Sequence, residues 1–167
     1  MDRDHVDQLM EAWARERPEL ETRALSLAAR VMRLERFLDL DMATLMDRFD
    51  LRIGEGRVLA TLRRAGPPYE LTPTDLYRGL LLSSGAMTNR LDRLEARGLV
   101  RRIPDDEDQR RVRVVLTVAG RELIDEAMDA YTKDLEAKFA FLDPNDHDRL
   151  VSLLRVVLIE LERHAEA

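Results

Sequence analysis

Apolar residues recur every three to four positions along most of this chain and change to every second position only once, between about residues 99 and 116. A 3.6-residue period buries one face of a helix, whereas a period of two buries one face of a strand. Residues 4 to 16 therefore predict a short helix carrying Trp13 and ending before Pro18. A longer helix follows from about Glu21 to Phe49, with Leu25, Met32, Leu38, Met42 and Leu45 along its apolar side and no internal Gly or Pro. A third spans about Gly54 to Arg64 and stops at Gly66-Pro67-Pro68.

The next stretch is the most compact. Thr72 or Thr74 caps a short helix with Pro73 in its first turn, ending near Leu81. Ser83-Ser84 opens another, from about Gly85 to Arg97, with Gly98 as its C-terminal stop. Two short helices joined by a tight connection form a helix-turn-helix candidate. Leu99 to Ile103 and Arg111 to Leu116 then predict two strands, separated by the charged hairpin Pro104 to Arg110, which makes a wing. Thr117 caps a long helix to about Phe141, and Asp143-Pro144 starts a last one to about His164. Its Leu150, Leu153, Leu154, Val157, Leu158 and Leu161 form a broad apolar stripe. The expected fold is mainly α with a small β-wing, a winged helix-turn-helix (51–116) on a helical dimerisation region (1–50 and 117–167), intertwined as one domain.

Composition narrows the functions open to this fold. No apolar run approaches the roughly 18–20 residues of a membrane helix, and no secretory leader is evident, so a cytoplasmic protein is expected. Cysteine is absent, which excludes disulfides and thiolate metal sites. His5, His147 and His164 have no ligand spacing, and no phosphate loop, nucleophile elbow or zinc-protease motif occurs. Neither an enzyme nor a metal or cofactor is expected. Net charge is −6, but Arg52 to Arg113 holds 13 arginines against 9 acids, a local +4, leaving 14 basic and 24 acidic residues elsewhere. A basic middle with acidic ends suits a module that meets phosphate while the rest does not.

Within the second helix of the unit, Met87, Leu91 and Leu94 fall at i, i+4 and i+7 and must face the core. Gly85, Thr88, Asn89, Asp92 and Arg93 then lie opposite, with Ser83 and Ser84 at the N-terminal end. Small polar residues there suit a helix entering the major groove of double-stranded DNA, although an ordinary solvated face has the same composition. The wing adds Arg110 and Arg111, with Asp108 placed to orient Arg110, and an arginine at such a tip suits a minor groove. A plain solvated hairpin is the alternative.

These residues resemble the MarR family of bacterial transcriptional regulators. The matching segments are Leu71-Thr72-Pro73-Thr74-Asp75-Leu76, TNRLDRLEARGLV from Thr88 to Val100, and Asp108-x-Arg110 followed by Leu116-Thr117-x-x-Gly120. The resemblance implies a homodimer built from interlocked terminal helices, a pseudo-palindromic DNA site, and a repressor released by a small molecule. Asn89-Arg90-Leu91 and the N-terminal Trp13-Ala14-Arg15 further resemble the urate-responsive branch. That likeness implies an anionic organic ligand held by Trp13, Arg90 and Arg102, with Arg57 standing where the branch has an aspartate.

Physically, Arg90 lies beside the buried face of its helix and needs either an anion or a shell of acceptors. Pairing with Glu55 or Asp50 is the structural alternative, for Arg102 as well. Arg57 changes the pocket by two charge units, favouring a more highly charged carboxylate than urate, takeover of the acid's role by Glu55, or loss of sensing. A ligand-independent DNA-binding dimer and a helical interaction module without DNA binding complete the alternatives.

Overall fold

A computed structural model describes residues 2–80, 84–104 and 112–165. The chain forms two compact units, one running through Ala127 and a second starting at Met128.

The first unit contains α1 (His5–Glu16), α2 (Arg23–Arg48), α3 (Ile53–Arg64), β1 (Glu70–Leu71), α4 (Pro73–Gly79), α5 (Ser84–Ala96), β2 (Val100–Pro104) and β3 (Val112–Leu116). It also takes in the start of α6 (Val118–Phe139). The helical periods thus appear where the apolar spacing places them, within one to three residues at their ends. The α1 N-terminus is closed by a capping box in which Asp4 and Asp7 accept each other's backbone N–H, both at 2.9 Å. Arg30 of α2 holds both carboxylates, at 2.8 Å to Asp4 and 2.6 Å to Asp7, and so ties α1 to α2. That ion pair, with the Asp7 N–H acting first, holds the Asp4 carboxyl below its ordinary range despite the opposing effect of desolvation.

The core of this unit is where α3, α5 and the sheet meet. Val58, Leu59 and Leu62 of α3, Leu76 of α4, Leu94 of α5, Val100 of β2 and Val114 of β3 are completely buried. Each such side chain contributes about 1.5–3 kcal/mol by leaving water, which is what holds short helices in place.

One element departs from the sequence-based expectation. The wing is not a two-stranded ribbon: β1 adds to β3, giving an antiparallel sheet in the order β1-β3-β2. Glu70 lies opposite Val115 and Leu71 opposite Val114, while β2 pairs from Val100↔Leu116 to Pro104↔Val112. Two residues are too few to show a period, so only pairing with β3 reveals β1 as a strand.

Two helix ends set the geometry further on. The α2 helix closes with Leu51 N–H on the Met46 carbonyl (3.0 Å) and Asp50 N–H on Asp47 (3.1 Å). Asp50 takes the left-handed conformation (φ 53°), a Schellman ending in which Met46 and Leu51 bury together. The α5 helix ends in the same way at Gly98 (φ 70°), where glycine adopts the left-handed region without strain. Its Leu99 N–H reaches Leu94 at 3.0 Å and its Gly98 N–H reaches Glu95 at 2.9 Å.

The second unit comprises the rest of α6 and α7 (Pro144–Ala165). Asp143 caps α7, its carboxylate accepting the N–H of Asn145 (2.8 Å) and Asp146 (3.0 Å). The apolar stripe of α7 is open: Leu153, Val156, Leu158 and Leu161 are all more than half exposed. Among the described residues no helix is long and apolar enough to cross a membrane.

Candidate nucleic-acid interface

The candidate interface consists of α4, α5 and the sheet. Thr72 caps α4, accepting the Asp75 N–H at 3.1 Å and donating its hydroxyl to the Asp75 carboxylate at 2.6 Å. That hydroxyl is therefore committed to the cap, and Thr72 is half-buried, while Thr74 is exposed in the first helical turn. Leu76 pins the other side of α4 in the core.

On α5 the buried positions are Met87, Leu91 and Leu94. Gly85, Thr88, Asn89 and Asp92 are exposed on the opposite side, as the i, i+4, i+7 spacing requires. Ser84 is the first residue of α5. Ser83, Asp108, Arg110 and Arg111 lie outside the described residues.

The arginines of this region are mostly neutralised locally, which the count of +4 does not reveal. Arg102 on β2 gives its backbone N–H to Glu95 (2.8 Å), and its guanidinium reaches Glu95 at 3.0 Å and Asp92 at 2.6 Å. Glu95 thereby fastens the base of the wing to α5. Arg113 of β3 pairs with Glu70 of β1, and Arg63 pairs with Asp125 at 2.8 Å. Among the described residues, the exposed Arg52 and Arg64 of the α3 region and Arg78 and Arg101 of the candidate interface have no carboxylate within ion-pair distance. Composition could not single them out, because only the fold shows which arginines already have an acid beside them.

Arg93 is half-buried, and its Nε donates to Glu55 at 2.5 Å. Glu55 itself is only 4% exposed. Its other oxygen accepts the Arg52 N–H at 2.9 Å, closing the first turn of α3. Burial by itself would raise the Glu55 pKa; the Arg52 N–H and the Arg93 guanidinium outweigh it and hold the carboxyl below the ordinary glutamate range. The sequence pairs Glu55 with Arg90 or Arg102 as its structural alternative, but the acid meets Arg93.

The four residues singled out for a ligand are distributed as follows. Arg90 is half-buried, with its guanidinium against the backbone of Gly54 at the start of α3; a Cβ on Gly54 would stand 2.4 Å from Arg90 Nε. Among the described residues Arg90 has no carboxylate partner. Arg57, one turn further along α3, is held by Asp39 of α2 at 2.8 Å. Arg102 has its charge compensated by Glu95 and Asp92, and Trp13 is 40% exposed on α1. The fold thus brings Arg90 and Arg57 to the same helix, α3. No group of three or more metal-ligating side chains occurs among the described residues.

A family model described as "MarR family" matches residues 49–111, from the end of α2 to the wing. Over 159 residues the chain is 30% identical to the HTH-type transcriptional regulator PecS of Dickeya dadantii, covering 95% of this chain and 93% of that protein. Among solved structures it is similar to a variant of Escherichia coli MarR in complex with operator DNA. There the TM-score is 0.71 at 27% identity, over 82% of this chain and 96% of that one. AbsC, a MarR family regulator of Streptomyces coelicolor, shares the fold with a TM-score of 0.74 at 22% identity, over 86% of this chain and 97% of that one.

Proposed function

The chain belongs to the MarR family, and on that premise we propose that it is a sequence-specific DNA-binding transcriptional regulator, a repressor released by a small organic anion. The observation that carries the DNA reading is the exposed face of α5. Gly85, Thr88 and Asn89 stand out from the lobe at the N-terminal half of the helix, opposite three buried anchors and beside the sheet. A helix so presented enters the major groove by its N-terminal end, with Thr74 of α4 and backbone N–H groups placed for the flanking phosphates. Arg110 and Arg111 of the wing would take the adjacent minor groove.

Two copies would bind one pseudo-palindromic site. The open apolar faces support pairing: Leu27, Met32 and Phe37 on α2, and Leu153, Val156 and Leu161 on α7, are each close to half exposed or more. Faces of this kind are covered in a symmetric dimer. Sedimentation velocity at micromolar concentration is expected to give a dimer.

Release by an anion rests on Arg90, a half-buried cation with no carboxylate partner among the described residues, seated over a glycine that leaves room for it. A buried or half-buried guanidinium is stabilised by an anion that shares its desolvated surroundings.

Selection of duplexes from a random library with the full-length protein, followed by gel shift, tests DNA binding; recovery of no enriched half-site would refute it. Trp13 is the only tryptophan, so its fluorescence reports ligands bound nearby. Titration with urate, salicylate and citrate is expected to change that signal and release the selected duplex. Release by none of them, with the duplex still bound, supports the ligand-independent regulator instead.

A further inference from the structure

The helix proposed to read DNA is gripped from its other end. Arg93 lies in the last turn of α5 and Arg97, four positions on, directly follows the helix, its N–H closing on the Arg93 carbonyl at 3.2 Å. Arg93 holds Glu55 at the first turn of α3. Arg97 donates to the backbone carbonyl of Asp50, reaches that of Phe49 at 3.5 Å, and lies 3.4 Å from the Asp50 carboxylate. Its targets are the corner where α2 turns into α3, and that corner is stiff. Its backbone is closed by the Schellman bonds at Met46 and Asp47, and Met46 and Leu51 are buried beneath it.

We propose that Glu55, Arg93 and Arg97 form a positioning clamp that sets the angle at which α5 presents Thr88 and Asn89 to DNA, and that Arg93 acts through Glu55 instead of contacting phosphate. This inference rests on the DNA-binding reading above and names what aims the helix.

Three features of the site carry it. Glu55 is the buried acid of this unit among the described residues, and a buried carboxylate requires a compensating partner; Arg93 is the cation that supplies it. Arg93 gives its Nε–H to Glu55, so its charge already has a carboxylate beside it within the protein. The clamp also lies at the end of α5 away from the reading face. From Glu95, midway between Arg93 and Arg97, back to Thr88 is about 10 Å at the α-helical rise, so a tilt of about 10° about the clamp moves Thr88 by roughly 2 Å. That displacement exceeds the few tenths of an ångström over which a hydrogen bond to a base edge keeps its strength. The clamp therefore joins the orientation of α5 to the corner between α2 and α3, and any rearrangement at that corner must pass to the reading helix.

The test uses the full-length protein and the duplex selected by the wild type, with affinity measured over a salt series. R93Q, E55Q and the double variant E55Q/R93Q are compared, with thermal unfolding as the control for folding. R93Q and E55Q are each expected to weaken the selected duplex by about 5- to 100-fold, the range of coupling between linked sites. The double variant is expected to be no weaker than the single ones, since all three break one unit. The slope of log affinity against log salt is expected to stay that of the wild type, because no phosphate contact has been removed. A slope smaller by about 0.9 in R93Q identifies a phosphate contact and overturns the proposal. So does an E55Q protein that binds as tightly as the wild type or tighter, as a freed DNA-contacting arginine would.

R97Q changes an exposed side chain and keeps the proposal falsifiable if the buried variants do not fold. It too should lose affinity at unchanged slope, and full retention of affinity contradicts the clamp. A wild type that binds no selected duplex refutes the DNA reading itself, an outcome distinct from variants that bind normally.

Discussion

Replacing Gly120 by alanine isolates the joint between α6 and the wing. A Cβ at this position would stand 2.1 Å from the Leu99 carbonyl oxygen, 2.9 Å from Leu116 Cδ1 and 3.0 Å from the Leu99 carbonyl carbon. Contacts of a real Cβ are essentially never under 3.0 Å, so the helix or the carbonyl must move by about 1 Å. The carbonyl is not free to move. It accepts the Thr117 N–H at 3.1 Å and the Thr117 hydroxyl at 3.1 Å, while that hydroxyl also reaches the Gly98 carbonyl at 2.8 Å and accepts the Gly120 N–H at 3.0 Å. Overpacking costs about 1–3 kcal/mol. Two weakened hydrogen bonds add about 1–3 kcal/mol. The better helix propensity of alanine returns about 1 kcal/mol. The net is a loss of about 3 kcal/mol, which for a chain of this size lowers Tm by about 6–12 °C. Calorimetry of wild type and G120A at one protein concentration measures it, since pairing of copies makes Tm concentration-dependent. A G120A protein melting within about 2 °C of wild type would refute the steric argument.

Three further outcomes follow from single contacts. Because its folded pKa is lowered, Glu55 contributes stability that is present above its ordinary pKa of 4.5 and is lost as pH falls through the folded value. The stability gap between wild type and E55Q in urea titrations is therefore expected to be widest at neutral pH and to close below pH 4.5. T72A removes the cap of α4 and should cost about 1 kcal/mol in the same assay. G54A displaces only the flexible end of Arg90 and gains helix propensity of up to about 1 kcal/mol. Its stability should equal or exceed that of wild type, while any anion detected through Trp13 fluorescence loses affinity; an unchanged affinity removes Arg90 from the ligand site.

Much of the architecture was legible along the chain because it depends on local periodicity. The helical repeat from Met87 to Leu94 names a buried face directly, that from Leu25 to Leu45 names an apolar face buried only at its C-terminal end, and Gly98 marks the end of α5 because only a left-handed residue closes that turn easily. The same spacing places Thr88 and Asn89 outward, so the candidate reading surface follows from the sequence once the helix is recognised. The third strand was not legible. Glu70 and Leu71 form a strand only because β3 lies beside them, 43 positions later at Leu71↔Val114.

What the sequence determined by itself, then, is which segments long enough to show a repeat are helices or strands and which side of each is apolar, since a repeat of 3.6 or 2 is a property of neighbours along the chain. What the tertiary structure decided is the partner of each charge. Arg90 and Arg93 are three residues apart on one helix and equally basic in sequence. One lies over Gly54 with no carboxylate beside it among the described residues, and the other is joined to the buried Glu55. The difference comes from desolvation and from the distance across α3, α5 and the α2–α3 corner. A charge is paired through space, and the sequence does not state which charges the fold will bring within 3 Å of each other.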